Sequence, residues 1–247
     1  MSANFSRLLE RIAKRSGHKI QLPTPEEAKA HLAKIGAEAN AEQYDRFSKQ
    51  QRDYARNKAL GGSFLPVRYQ ECTFDNYEIY AEGQVQALNF ARTWTRDFID
   101  DQAPTSFVFS GTTGTGKNHL AAAMCMEIIE NGGLAKLITV NELDQLRRSR
   151  CFGPKADLTE IDFLAPFVNV DLLILDEVGL STNSLSQKVF VDHLVNDRAN
   201  KDKPTGLISN LQGSELSQHL GERIVDRIAT AGGHWITFNW KSNRTRK

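Results

Sequence analysis

Gly111-Thr112-Thr113-Gly114-Thr115-Gly116-Lys117 is the stretch that most narrows what this chain can fold into. It follows the apolar run SFVFS and opens a helix over Lys117–Glu130, so strand, glycine-rich loop and helix stand in the order a phosphate loop requires. Glycines let backbone N–H groups turn inward on a polyphosphate, the helix N-terminus adds positive potential, and the lysine reaches the terminal phosphates. The spacing by itself is only suggestive. The flanking strand and helix give it weight.

The same alternation continues downstream: AKLITV, a helix over Asn141–Arg150, DLLIL, a helix over Leu185–Ala199, and TGLIS. Two short helices, Ser214–Leu220 and Gly221–Thr230, then precede a last strand, Trp235–Phe238. This is a βαβ series, and its strands are apolar throughout, as expected of a parallel sheet buried on both faces. The expected fold class is α/β: a P-loop core with a parallel sheet flanked by helices, behind a small helical N-terminal domain. In that front part Phe5, Leu8, Leu9 and Ile12 recur at helical spacing beside Arg7, Arg11, Lys14 and Arg15. Thr24-Pro25-Glu26-Glu27 has the residue types of a capping box, Gly36 stops that helix, and Ala37–Leu60 reads as another helix before Gly61-Gly62. The expected division is a helical domain and linker at 1–70 and a core at 71–247.

Val170-Asp171-Leu172-Leu173-Ile174-Leu175 runs straight into Asp176-Glu177. Solvated acids at a strand end are the plain alternative, but a strand buried between helices places these carboxylates beside the loop, at the carboxyl edge of the sheet. Asp176 then holds Mg²⁺, usually through water, and Glu177 orients and polarises the attacking water, so the reaction class is ATP hydrolysis. Asn118 stands where a phosphate loop normally has Ser or Thr, and its amide oxygen is a neutral ligand for magnesium. Asn210 ends the TGLIS strand and reaches the attacking water or the γ-phosphate if that strand neighbours the Asp176 strand; otherwise it is a turn residue. Arg223 and Arg227 lie one helical turn apart, an arrangement that in an isolated helix is a solvated face.

Composition excludes several classes. Hydrophobic residues are 40% and charged residues 25% of the 247, an ordinary globular profile. The net charge of +1 hides a basic front, with 13 Lys/Arg against 9 Asp/Glu in residues 1–75. Cys72, Cys125 and Cys151 are odd in number and never paired as C-x-x-C, and the six histidines have no partner at metal spacing, which argues against a disulfide framework and a zinc site. No stretch approaches the ~18 apolar residues of a membrane span, and residues 1–21 hold no signal-peptide core. A cytoplasmic protein with no membrane partner is expected.

Taken together, GTTGTGKNHLAAA, VDLLILDEVG, TGLISN, GERIVDRI and FNWKSNR closely resemble the bacterial replicative-helicase loaders of the DnaC type, which are AAA+ ATPases. The resemblance spans about Cys72 to the C-terminus, and Asn118 becomes a mark of the family. Cys72-Thr-Phe-Asp-Asn-Tyr77 looks like the strap that in this family lies near the adenine. The resemblance implies ATP and Mg²⁺ as cofactors, with Gly111, Thr112, Thr113, Gly114, Thr115, Gly116, Lys117, Asn118 and His119 on the nucleotide and Asn118 and Asp176 on the metal. It makes Glu177 the residue on the water, Asn210 the first sensor and Arg244 the second. Arg227 matches the finger that acts on ATP held by a neighbouring subunit, so self-association is implied and a lone subunit hydrolyses poorly; Arg223 reads as a salt-bridging neighbour on the same helix.

The resemblance further implies that the N-terminal domain grips a hexameric replicative helicase and that the ATPase domains assemble on single-stranded DNA. Binding a single strand wants basic groups and a stacking ring, which Arg147, Arg148, Arg150 and Phe152 offer; a solvated helix end is the alternative. Two other readings stand beside the loader: an IstB-type transposition helper, and a helicase-binding inhibitor that uses ATP as a switch. GKNH and FNWKSNR favour the loader.

Overall fold

The computed structural model describes residues 26, 34, 47–51, 53–102, 105–179, 185–230 and 232–242. The expected first basic helix, Thr24, Pro25 and Glu27 of the capping box, and Arg244 lie outside the described residues. The chain separates into two units, Met1–Arg52 and Asp53–Lys247. Ser63 and Leu65 are buried in the second unit, the Leu137 N–H donates to Ser63 O at 2.9 Å, and Lys136 reaches Gly62 O, so this stretch covers a sheet edge.

The second unit is built on a five-stranded parallel sheet in the order β2-β3-β4-β1-β5, with β1 Phe107–Gly111, β2 Ala135–Thr139, β3 Leu172–Asp176, β4 Thr205–Ser209 and β5 His234–Phe238. Every residue of β1, β3 and β4 is buried, as their unbroken apolar runs predict. Side chains alternate across the pleat. Phe107, Phe109, Leu172 and Ile174 meet α1 (Glu82–Ile99) and α2 (Lys117–Glu130) on one face. Val108, Leu173, Leu175 and Leu207 face the other core, which includes residues of α4 (Glu160–Val168), α5 (Leu185–Ala199), α6 (Gly213–Leu220) and α7 (Glu222–Thr230). Burying each such side chain is worth about 1.5–3 kcal/mol.

Two helices are not legible in the sequence pattern. α1 buries mainly small groups, Ala87 and Ala91, beside Leu88 and Trp94, so its apolar stripe is faint. α4 carries Pro166 inside it, a residue that signals a break. The helix expected over Asn141–Arg150 is α3 (Val140–Arg147), which passes into a π turn at Arg148–Phe152.

Arg198, in the last turn of α5, is fully buried. Its guanidinium donates to the carbonyls of Phe167 (2.7 Å), Val168 (3.2 Å), Val170 (2.8 Å), Asp171 (3.3 Å) and Pro204 (2.5 Å), and to the Thr205 hydroxyl at 3.0 Å. It ties the chain entering β3 to the chain entering β4, and so fixes at their far ends the two strands that carry Asp176 and Asn210.

Candidate functional site

Parallel strands deliver their C-terminal ends to one edge of the sheet, and the sequence-predicted loop, carboxylate and Asn210 groups gather there. Thr139 pairs with Asp176 across β2 and β3, Leu175 with Leu207 across β3 and β4, and Ser110 with Ser209 across β4 and β1. The β3 and β4 strands are therefore neighbours, the condition on which the Asn210 reading depends. A cleft of about 630 Å³ opens at this edge, lined by Thr113, Gly114, Thr115, Gly116, Lys117, Asn118, His119, Asp176, Glu177 and Asn210.

The loop is glycine-rich because its backbone turns through positive φ at Gly114 (80°) and Gly116 (95°). At Gly116 there is a second reason: a Cβ would come within 2.7 Å of the Tyr77 ring. Gly111 and Thr112 lie beneath, their carbonyls accepting the Lys117 ammonium at 2.7 and 2.8 Å. Lys117 is only 4% exposed, and burial pulls its pKa down to about 8 against the opposing pull of Asp176.

Asn118 and Asp176 meet directly, the Asn118 amide donating to the carboxylate at 2.5 Å. Asp176 also accepts the Glu177 N–H at 2.7 Å. Burial raises its pKa above the usual aspartate value despite these bonds. Glu177 stands at φ 57°, a conformation side chains avoid, and one that persists only where the surroundings enforce it. The enforcement is visible: the Val178 N–H donates to Ile208 O at 2.9 Å and Ser209 Oγ to Val178 O at 2.6 Å, which turns the chain back onto β4 immediately after Glu177. Burial first, then the charges of Asp176 and Glu142, raise the Glu177 pKa.

Residues of the Cys72–Tyr77 segment and those just after it border the cleft. The His119 ring donates to Thr73 O at 3.0 Å and meets the Tyr77 ring edge-on at 5.3 Å, while Asn76, Tyr77, Glu78 and Tyr80 line the cleft. Gln84 fastens this stretch, accepting the Tyr80 and Ala81 N–H groups at 2.8 and 3.0 Å and donating to Glu78 O at 2.9 Å. Tyr77 is buried, with its pKa pushed up to about 12 by desolvation. Glu142 is a cleft carboxylate that sequence reasoning missed. Its signal was Thr139-x-x-Glu142, a capping box in which Thr139 Oγ accepts the Glu142 N–H at 3.1 Å and the Glu142 carboxylate accepts the Thr139 N–H at 3.2 Å.

Arg227 does not line the cleft among the described residues; its guanidinium donates to the Asn196 side chain at 3.0 Å. Arg223 lies 3.8 Å from Asp192 on α5, so its ion partner is on another helix. The proposed strand-binding group is corrected at Arg147. That side chain is 7% exposed and held by Asp144 (2.8 Å) and Glu160 (2.7 Å), so it pins α3 to α4 and is not a surface cation. Arg148 and Arg150 are exposed but paired to Asp144 and Asp157, whereas the Phe152 ring is 64% exposed.

Among the described residues no group of His, Cys, Asp and Glu is arranged to hold a metal by itself, and no helix is long and apolar enough to cross a membrane. The family model described as IstB-like ATP binding protein matches residues 19–247. The replicative helicase loader DnaC of Escherichia coli (strain K12) is 36% identical over 98% of this chain and 97% of its own. DnaC of Buchnera aphidicola subsp. Acyrthosiphon pisum (strain APS) is 37% identical over 76% of this chain and 75% of its own. In fold, a crystal structure of the DnaC helicase loader matches with a TM-score of 0.61 at 23% identity, over 70% of this chain and 99% of that one. A complete phosphate-loop cleft and a likeness that runs the length of both chains lead to one assignment: the chain belongs to the IstB-like ATP-binding protein family, with DnaC helicase loaders among its relatives.

Proposed function

We propose that this protein is an ATP-hydrolysing loader that binds a hexameric replicative helicase and places it on single-stranded DNA. The observation that carries this reading is the near-full-length likeness to DnaC, which takes in the front part of the chain as well as the nucleotide core.

In this reading the loop N–H groups and the N-terminus of α2 receive the phosphates, and Lys117 exchanges its two loop carbonyls for phosphate oxygens. Asn118 and Asp176 suit Mg²⁺, a hard cation that takes one or two protein oxygens and completes its shell with phosphates and water. The ion, when bound, supplies neutralising charge on the phosphates. Glu177 orients the attacking water from a backbone held by β4, and Asn210 stands on the neighbouring strand to bond water or phosphate. Arg227, on the surface of α7 and outside its own cleft, acts on the nucleotide of an adjacent subunit. Hydrolysis by an isolated subunit is accordingly weak and rises in the assembly on DNA. The N-terminal domain, residues 1–70, grips the helicase, and Phe152 with Arg148 and Arg150 contacts the single strand.

A pull-down from bacterial lysate, combined with ATPase assays with and without single-stranded DNA, tests the reading. Recovery of the replicative helicase and DNA-stimulated hydrolysis are expected. Recovery of a transposase without helicase, or helicase capture with turnover that DNA leaves unchanged, refutes it in favour of a transposition helper or a nucleotide-switched inhibitor.

A further inference from the structure

The chain leaving β5 is built around the phosphate loop. Phe238 O accepts the Thr112 N–H at 3.3 Å, the Thr112 hydroxyl donates to Trp240 O at 3.5 Å, and the Trp240 indole N–H donates to Thr115 O at 2.9 Å. The loop is thus held on both sides of Gly114 by one short segment. The indole is itself fixed. It packs on the Phe238 ring at 4.9 Å and lies over Gly83 of α1, where a Cβ would come within 2.9 Å of the ring. The Tyr80 hydroxyl donates to Lys241 O at 3.0 Å, which ties the same segment to the strap.

We propose that Trp240 is a positioning residue of the phosphate loop, acting through the Thr115–Gly116 peptide; the proposal rests on the reading that this loop binds ATP. In a planar trans peptide the C=O of one residue and the N–H of the next point in opposite directions. An indole that captures Thr115 O therefore aims the Gly116 N–H the other way, toward the cleft. The control is needed because the glycines that let the loop adopt φ of 80° and 95° also free its peptide planes to rotate. Tyr77 backs the same carbonyl with a longer hydroxyl contact of 3.4 Å. A loop held in its binding conformation loses less freedom when the phosphates arrive.

The three tryptophans make the test specific. The Trp94 indole donates to Thr105 O before β1, and that of Trp235 to Ser110 Oγ within β1, so each indole N–H reports a different place. The full-length protein is titrated with ATP while the indole N–H resonances are followed by NMR, the Trp240 signal being the one missing from Trp240→Phe. The Trp240 signal is expected to move with ATP saturation while that of Trp94 stays. Trp240→Phe keeps a ring against Phe238, so it is expected to melt within about 2 °C of the wild type. It should bind ATP about five- to tenfold more weakly, the worth of one hydrogen bond. A Trp240 signal that stays still at saturating ATP, or wild-type affinity in a folded Trp240→Phe protein, overturns the proposal. If Trp240→Phe fails to fold, the signal is assigned from the conservative Trp94→Phe and Trp235→Phe proteins and the titration decides alone. A wild-type protein that binds ATP no better than Lys117→Ala overturns the nucleotide reading and this one with it.

Discussion

Raising the pH from about 7 to about 9 is expected to weaken ATP binding about tenfold, because Lys117 loses its proton in that window. Burial lowers the lysine to about 8, and Asp176 offsets only part of that effect. Only the protonated ammonium makes ionic hydrogen bonds to phosphate, and a lysine enclosed by phosphate oxygens keeps its proton to at least its ordinary value of ~10.4. Affinity is therefore complete below about pH 8 and is lost as the pH rises through it, with binding taking up a proton on the alkaline side. About nine-tenths of the lysine is charged at pH ~7 and about one-tenth at pH ~9, a loss of about 1.4 kcal/mol of binding free energy. The phosphates are already ionised across this range, their last pKa lying near ~6, and Tyr77 at about 12 stays neutral. Calorimetric titration with ATP at several pH values, in buffers of different ionisation enthalpy, measures both the affinity and the proton uptake. Lys117→Arg provides the control, since a guanidinium stays charged throughout and its profile should be flat. A flat wild-type profile, or an equal slope in Lys117→Arg, refutes the reasoning.

Glu177→Gln should leave ATP affinity within about twofold and lower turnover by ~10²–10⁴, the usual worth of a positioned base; a variant that keeps turnover removes Glu177 from the reaction. Arg227→Ala should bind ATP normally and lose DNA-stimulated hydrolysis by ~10³ or more. Mixing it with Lys117→Ala, which binds no nucleotide but presents an intact Arg227, should restore part of the rate, and no restoration places the arginine within its own subunit. Arg198→Met should cost about 3–5 kcal/mol in urea unfolding, because it strips a buried charge from carbonyls left without donors; a loss under ~1 kcal/mol contradicts that role.

The phosphate loop, the β3 acids and the parallel βαβ order are legible in the sequence because each depends on contiguous residues. Strand burial on both faces removes polar alternation, and a loop that must turn through positive φ calls for glycine. α1 and α4 are hidden for equally local reasons, a stripe of small residues in one and a proline in the other. Arg147 shows the opposite failure. Beside Arg148 and Arg150 it reads as part of a basic surface, yet Asp144 one turn back and Glu160 on the next helix enclose it.

The sequence by itself determined which chemistry is present: a lysine, an amide and two carboxylates at spacings that suit a triphosphate. Tertiary structure alone decided who meets whom. It set β4 between β3 and β1, which brings Asn210 beside Asp176 and Glu177, and it sent Arg227 to a surface away from the cleft. It also wrapped the segment after β5 around a loop more than a hundred residues earlier, placing the Trp240 indole on Thr115 O. The physical reason is the same throughout. Propensity and periodicity act over neighbouring residues, whereas strand order and the partners of a buried donor are fixed only when the whole sheet and both of its cores assemble together.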